Sequence, residues 1–463
     1  MNLAKPRQIA LMTLDETSLN EKKIGDGNSE LIELQLDKSN KSSGNAVAEK
    51  IEFIEDRLEK TFHSFVLSDS DRRLIKELCI GVKKWELTLD WLISKKTKVP
   101  PKQHTLANIL RLGVYQIIFL TKIPDHAAVN EMVDLTKHVG LKHFVGLVNA
   151  VLRAFARERE SVRQTLKELK RTQPHIGYSH PKWLFERWCL LFGEQNAIQL
   201  LKWNNIPSRT FARVNTLKTT ADSLAKQWDS EHVDYKPLTF EWAGKDLIFE
   251  IKSHPPLKTL NSLRDGLFYI QDPSTLMAVS LLEPKKGEKI LDYCAAPGGK
   301  TTFIAQASDN KAIIFAYDSN PLRIKLLEDN LTRLGVQNSH LIKPGEEEKI
   351  RENAPYDKIL IDAPCSNTGV MRRRIELRWR LKPHKFKWFQ KAQLEILSKS
   401  SVFLKPGGVL VYSTCSIDRE ENQDVVNKFL SLSPGFRLDF QKELLPFRDG
   451  VDGAFAARLI RQG

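Results

Sequence analysis

After residue 285 the chain alternates short β-rich runs with helical stretches, and few folds accept that order. Residues 290–291, 313–317, 341–342, 358–361 and 409–413 are near-continuously apolar and end in an acid or in a Gly/Pro or Ser turn. Residues 301–307, 321–334 and 386–404 carry helical spacing between them. Strands that are apolar on both faces and separated by helices predict an α/β domain built on a doubly wound parallel sheet. In such a sheet ligands bind beyond the carboxyl ends of the strands, so the residues that follow each run are the candidate site.

The first 160 residues read differently. Leu106, Ile109, Leu110, Gly113, Val114 and Ile117 recur at helical spacing, as do Val129, Met132, Val133 and Thr136, with Pro124-Asp125 as a stop and restart between them. Residues 17–44 are polar and read as an insertion, and residues 158–170 as a charged helical connector closed by Pro174. From about 181 to 268 the signal is mixed: Trp183, Phe185, Trp188 and Leu191 suit a helix, while residues 210–215 and 246–251 suit strands. A small α/β module is expected there.

With 71 Lys and Arg against 57 Asp and Glu among 463 residues, the formal charge is +14, which favours a polyanionic partner such as nucleic acid. No apolar run reaches the ~18 residues that a bilayer requires, and Met1 to Asp15 lacks a signal-peptide core, so a cytoplasmic protein is expected. Five scattered cysteines, Cys79, Cys189, Cys294, Cys365 and Cys415, make neither a disulfide framework nor a zinc site. No metal is expected.

The first β-run leads into Asp292-Tyr293-Cys294-Ala295-Ala296-Pro297-Gly298-Gly299-Lys300-Thr301. A turn of small residues lets a ligand approach the backbone and meet a helix N-terminus. A Walker loop would need glycine where Cys294 stands, and the dinucleotide pattern G-x-G-x-x-G is absent. A nucleoside without a large phosphate group fits, with Asp318 at the end of the second run to accept ribose hydroxyls.

The fourth and fifth runs end in Asp362-Ala363-Pro364-Cys365-Ser366 and Ser413-Thr414-Cys415-Ser416. A lone cysteine is usually a small core residue. Two cysteines at equivalent strand ends, with Asp362 close before one, suggest covalent chemistry. Cytosine C5 is too electron-poor to accept a methyl group directly, whereas thiolate addition at C6 makes C5 nucleophilic. A base must then remove the C5 proton before the thiolate leaves, so one cysteine can attack and the other assist elimination. Asp362 can hold the ring N3, and Lys300 can lower a thiol pKa.

Residues 292–301, 362–370 and 412–417 resemble the RNA cytosine-5 methyltransferases of the NOL/NOP/Sun group. The helical front resembles NusB in Leu110-Arg111-Leu112-Gly113-Val114-Tyr115-Gln116, in Lys122 to His126, in Asn130-Glu131 and in residues 148–153. Joined, the two are similar to bacterial small-subunit (16S) ribosomal RNA methyltransferases of that group, and Asp452-Gly453-Ala454-Phe455 extends the resemblance to the C-terminal region. It implies a Rossmann-like class I methyltransferase domain over 269–463, an all-α NusB-like domain over 1–160 and a small α/β RNA-binding module over 165–268. It implies Cys415 as nucleophile and Cys365 as the aid to product release. S-adenosylmethionine as cofactor maps onto residues 294–300, Asp318 and Asp362. The family's acid after the third strand is usually Asp following Gly, and Gly345-Glu346 stands there. Where the family reads Arg-His-Pro after the fourth strand, this chain has Arg373-Arg374-Ile375.

The expected partner is small-subunit ribosomal RNA, unassembled or partly assembled, met by a monomer away from membranes. Arg372, Arg373, Arg374, Arg378, Arg380, Lys382, Lys385 and Lys387, interleaved with Trp379 and Trp388, read as an RNA-tracking surface. Arg213-Val214-Asn215 also resembles a family motif, with a structural role equally open. Two other functions compete: a cytosine-5 methyltransferase acting on transfer RNA, and a non-catalytic NusB-like scaffold.

Overall fold

The computed structural model describes residues 5–25, 53–98 and 101–463. The expected polar insertion therefore lies, beyond Gly25, outside the described residues. The chain divides into two compact units, one of residues 1–206 with Arg374–Arg380, the other of Pro207–Arg373 with Leu381–Gly463.

The first unit is helical. His104–Phe119 is buried on nearly every side, Leu106, Ile109, Leu110, Val114 and Ile117 included, as its all-round apolar sequence requires. Gly113 lets Val145–Arg157 approach it, since a Cβ there would lie 2.6 Å from Leu152. Ser68 caps Asp69–Lys84 by accepting the Asp71 N–H at 3.1 Å, and Pro124 precedes Asp125–His138. Helices Arg159–Thr172, Lys182–Phe192 and Glu194–Trp203 belong to this unit. Residues 165–206 thus group with the helices rather than with the small α/β module.

Residues 374–380 enter this unit from the far side of the sequence. Ile375 joins its apolar core. Arg378 is fully buried and donates to the carbonyls of Ser179 and Asn204 at 3.2 and 3.0 Å and to Asn205 Oδ1 at 2.8 Å. The Trp379 indole N–H donates to the Lys83 carbonyl at 3.0 Å, and Arg380 pairs with buried Glu376 at 3.0 Å. This part of the expected RNA-tracking surface is therefore structural. A guanidinium that meets several inward-facing carbonyls is stable when buried, and charge density alone misreads it as solvated.

The second unit holds two sheets. Strands β1 (Thr210–Val214), β2 (Asp234–Leu238), β3 (Ile248–Ser253) and β4 (Phe268–Ile270) form an antiparallel sheet ordered β2-β3-β1-β4. The larger sheet comprises β5 (Lys289–Asp292), β6 (Ile313–Tyr317), β7 (Ser339–Ile342), β8 (Tyr356–Asp362), β9 (Leu404–Thr414), β10 (Phe436–Leu444) and β11 (Ala454–Arg461). Its order is β10-β11-β9-β8-β5-β6-β7. β5 to β9 are parallel where they pair, as expected, while β11 and β10 add to β9 antiparallel. The five expected strands thus form the parallel part of a sheet that two antiparallel strands extend. Along β9, Val409 and Val411 enter one core while Leu410 and Tyr412 enter the opposite one, so both faces are covered. Helices Gly299–Ala307, Pro321–Leu334 and Lys385–Ser401 lie close to the expected positions.

Arg213 and Asn215 bind the small sheet to the larger one. Arg213 donates to the Gly299 carbonyl at 2.7 Å and to Thr302 Oγ1 at 2.8 Å. Asn215 Nδ2 donates to the carbonyls of Gly266 and Leu334 at 2.8 and 2.9 Å.

Replacing Arg378 by Ala strands several buried acceptors, each worth ~1–3 kcal/mol, and should cost about 3 kcal/mol or more. Thermal unfolding followed by circular dichroism checks this. An unshifted transition would show that the carbonyls find other donors.

Candidate active site

Because β5, β6, β8 and β9 run parallel, their carboxyl ends lie along one edge, and Asp292, Asp318, Asp362 and Cys415 stand there together. Gly298 adopts φ +104° in the turn after β5, a conformation glycine accepts freely, and Gly299 opens the helix that carries Lys300. Ala295 and Ala296 are buried in this turn, and the Ala296 N–H donates to Asp318 at 3.1 Å. Asp318 also accepts the Asn320 N–H at 3.0 Å. The sequence reading left that carboxylate to a ligand, whereas here it also shapes the turn.

Asp292 is fully buried. One oxygen accepts from Thr301 Oγ1 at 2.7 Å, and the other has no hydrogen-bond partner. Burial, with Asp362 and Asp318 nearby, pushes its carboxyl up to about 7. The Cys294 thiol is pushed well above its ordinary range by burial and by Asp318, Asp362 and Asp292. Both shifts come first from burial, with the neighbouring carboxylates adding to it.

Lys300 Nζ pairs with Asp362 at 2.6 Å, and Ser413 Oγ donates to the other Asp362 oxygen at 2.9 Å. Burial pulls the Lys300 pKa down, but Asp362, Cys415 and Asp292 together raise it above its usual value. Cys365 Sγ and Cys415 Sγ are 3.3 Å apart, and the Cys415 thiol donates to Asn367 Oδ1 at 2.8 Å. The Cys365 thiol is pushed well above the ordinary range, first by its hydrogen bond with Cys415 and then by burial. Cys415, Lys300 and Asp362 line one small cavity of about 40 Å³ together with Asp272 and Asp452.

Asp272 and Asp452 were not singled out as site residues, although Asp452 opens a quoted motif. They explain the remaining basic residues. Arg372 Nε donates to Asp452 at 2.7 Å, and Arg373 binds Asp452 through Nε and Asp272 through its terminal nitrogen at 2.8 Å. Lys385 is buried, leaving Arg374, Lys382 and Lys387 as the exposed cations of the expected RNA-tracking cluster. Two buried carboxylates need two cations more than solvent does. Glu346 lies in the turn after β7, where it accepts the Lys343 N–H at 3.1 Å and pairs with Lys349 at 3.0 Å. The neighbouring Glu347 accepts from the Tyr317 hydroxyl at 3.0 Å and from the Gly345 N–H. Position after Gly does not distinguish those two acids.

The mixed sheet, the glycine turn and the acids along one strand edge define a Rossmann-like methyltransferase. The family described as "16S rRNA methyltransferase RsmB/F" matches residues 279–460, the NusB family residues 4–157, and an RsmF/B-like ferredoxin-like domain residues 180–243. Ribosomal RNA small subunit methyltransferase B of Klebsiella pneumoniae is 34% identical over 414 residues, covering 86% of this chain and 91% of that protein. A methyltransferase homolog protein of Pyrococcus horikoshii superposes with a TM-score of 0.54 at 30% identity, covering 64% of this chain and 99% of that one. The structure titled PH0851 gives a TM-score of 0.71 at 26% identity, over 88% of this chain and 93% of that one. The chain belongs to the ribosomal RNA small subunit methyltransferase B family and is an rRNA methyltransferase with a NusB domain.

The raised Asp292 carboxyl makes a pH prediction. The folded state holds a proton that the unfolded chain releases near pH ~3.9, so the group contributes stability at low pH that is lost as pH rises through about 7. Asp292→Asn should therefore gain on the parent between pH 5 and pH 8, by a few kcal/mol on the order of 1.4 per shifted unit. Urea midpoints at both pH values check it. An equal gap at both would mean that Asp292 ionises normally.

Proposed function

We propose that this rRNA methyltransferase transfers a methyl group from S-adenosylmethionine to C5 of a cytosine in small-subunit (16S) ribosomal RNA, through a covalent adduct between Cys415 and cytosine C6. The observation that carries this reading is the 3.3 Å approach of the Cys365 and Cys415 sulfurs, with the Lys300–Asp362 pair on the wall of the Cys415 cavity.

The residues present fit the cofactor. The turn at Ala295, Ala296, Pro297, Gly298 and Gly299 leaves backbone accessible, Asp292 keeps one buried oxygen without a donor, and the strand-end carboxylates suit a sulfonium cation. Cys294 to Lys300, Asp318 and Asp362 would hold it, with Glu346 or its neighbour Glu347 on the loop after β7. When bound, S-adenosylmethionine supplies an electrophilic methyl group.

The chain's own residues do the rest. Cys415, as thiolate, forms a bond to C6, and the C5–C6 π electrons move toward N3, where Asp362 bridged to Lys300 holds the ring. After C5 has been methylated, Cys365, its own proton released to solvent, takes the C5 proton as a thiolate, the C5–C6 double bond re-forms and the Cys415 thiolate leaves. The two thiols influence each other. While Cys415 is free, its hydrogen bond holds the Cys365 proton on sulfur. Forming the Cys415 thioether weakens that hydrogen bond, the largest of the influences that raise the Cys365 thiol, while burial continues to raise it.

Denaturing gels with cofactor and 16S rRNA separate the two roles. Cys365→Ala should leave a slowly migrating protein–RNA adduct, and Cys415→Ala should give neither adduct nor methylated RNA. The opposite pattern would exchange the roles, and no adduct with either variant would overturn the covalent route.

A further inference from the structure

One buried carboxylate outside the cavity spans both cysteine loops. Glu421 lies in the turn Arg419–Glu421 after β9 and is fully buried. Its Oε2 accepts the Ser366 N–H at 2.8 Å and Gln393 Nε2 at 3.1 Å. Its Oε1 accepts from Ser416 Oγ at 2.8 Å and from Ser366 Oγ. Ser366 directly follows Cys365, and Ser416 directly follows Cys415. Four donors from three elements thus converge on one carboxylate, and two of those elements are the loops that carry the thiols. The Tyr412 hydroxyl donates to the Glu421 carbonyl at 2.6 Å, which anchors the turn itself.

We propose that Glu421 is a positioning residue that sets the distance between the two cysteines by holding Ser366 and Ser416 on one carboxylate. The inference rests on the cysteine roles proposed above and deepens them. Glu421 does not line the cavity with Cys415, so its effect passes through the loops and not through the substrate. Both thiols stand on short turns beyond strand ends, where ladder hydrogen bonds no longer fix the backbone. Gly369 adds a second tie, its N–H donating to the Cys415 carbonyl at 3.0 Å. The two serine hydroxyls also meet each other at 3.2 Å, and the Ile417 N–H donates to Thr368 Oγ1 at 3.2 Å. Losing the carboxylate leaves these ties but removes the one acceptor that both serines share, and a 1 Å displacement of reacting groups costs on the order of 100-fold.

The conservative variant separates shape from charge. In Glu421→Gln the amide oxygen can face the Ser366 N–H and Gln393, while the NH₂ donates to the two serine hydroxyls, which accept equally well. Methyl transfer to transcribed 16S rRNA in a single turnover, adduct on denaturing gels and S-adenosylmethionine affinity by calorimetry are measured for the parent, Glu421→Gln and Glu421→Ala. The Gln variant should stay within about threefold of the parent, and the Ala variant should slow roughly 100-fold with cofactor affinity changed less than about threefold. A Glu421→Ala protein that transfers methyl at the parent rate overturns the proposal. So does a Gln variant as slow as Ala, or a loss of cofactor affinity in step with rate. If Glu421→Ala fails to fold, Ser416→Ala, which removes one of the four contacts, must still slow transfer, and an unchanged rate overturns the proposal. Failure of the cysteine roles shows separately, as absence of adduct with Cys365→Ala.

Discussion

The pairing of β8 with β9 is the constraint on which the site depends. In that register Asp362 faces Ser413, so Cys365, three residues past Asp362, and Cys415, two past Ser413, emerge side by side. A slip of one residue would send Leu410 and Tyr412 into the opposite core and part the two thiols. The strands resist that slip because both faces are buried, with Val411 and Leu360 in one core and Ile359 and Ile361 in the other. Packing far from the chemistry thus fixes the distance between two sulfurs.

The electrostatics follow from the same edge. Parallel strands deliver Asp292, Asp318 and Asp362 to one end of the sheet, where burial first, and the neighbouring carboxylates after it, raise the Asp292 carboxyl and the Cys294 thiol. Lys300 offsets Asp362 at 2.6 Å and Arg323 offsets Asp318 at 3.5 Å. Across the cavity a second balanced set, Asp272 and Asp452 against Arg372 and Arg373, leaves Asp452 pushed up to about 6 by burial and Asp272. The cavity therefore sits between two sets of opposed charges. Charges fixed in this way are already oriented before any ligand enters.

How much of this was legible in the sequence depends on the range of the interaction. Strands β5 to β9 were legible because burial on both faces leaves uninterrupted apolar runs. β10 was not, because Arg437, Asp439 and Lys442 break the pattern on an edge strand with much of its length exposed. β2 was hidden by Pro237, which an edge strand tolerates. The cysteine pair and the glycine turn were legible because each is a short contiguous motif. Asp272 was not, since it meets Arg373 across 101 positions and the Asp452 N–H across 180. Glu421 reaches Ser366 across 55 positions, again with no local signal.

The basic segment after Cys365 shows why density of charge is a poor guide to contact with RNA. Arg372, Arg373, Arg378 and Arg380 carry four of the chain's positive charges, yet each is held by protein acceptors, either carboxylates or inward-facing carbonyls. A guanidinium bound in this way is turned toward protein acceptors, and freeing it would strand its buried partners. The exposed cations of this stretch are Arg374, Lys382 and Lys387. What Arg372 and Arg373 supply instead is rigidity immediately downstream of the Cys365 loop. Arg372 and Arg373 fix the chain as it leaves the cavity wall, so the loop that carries Cys365 is held at both ends, by β8 before it and by these ion pairs after it.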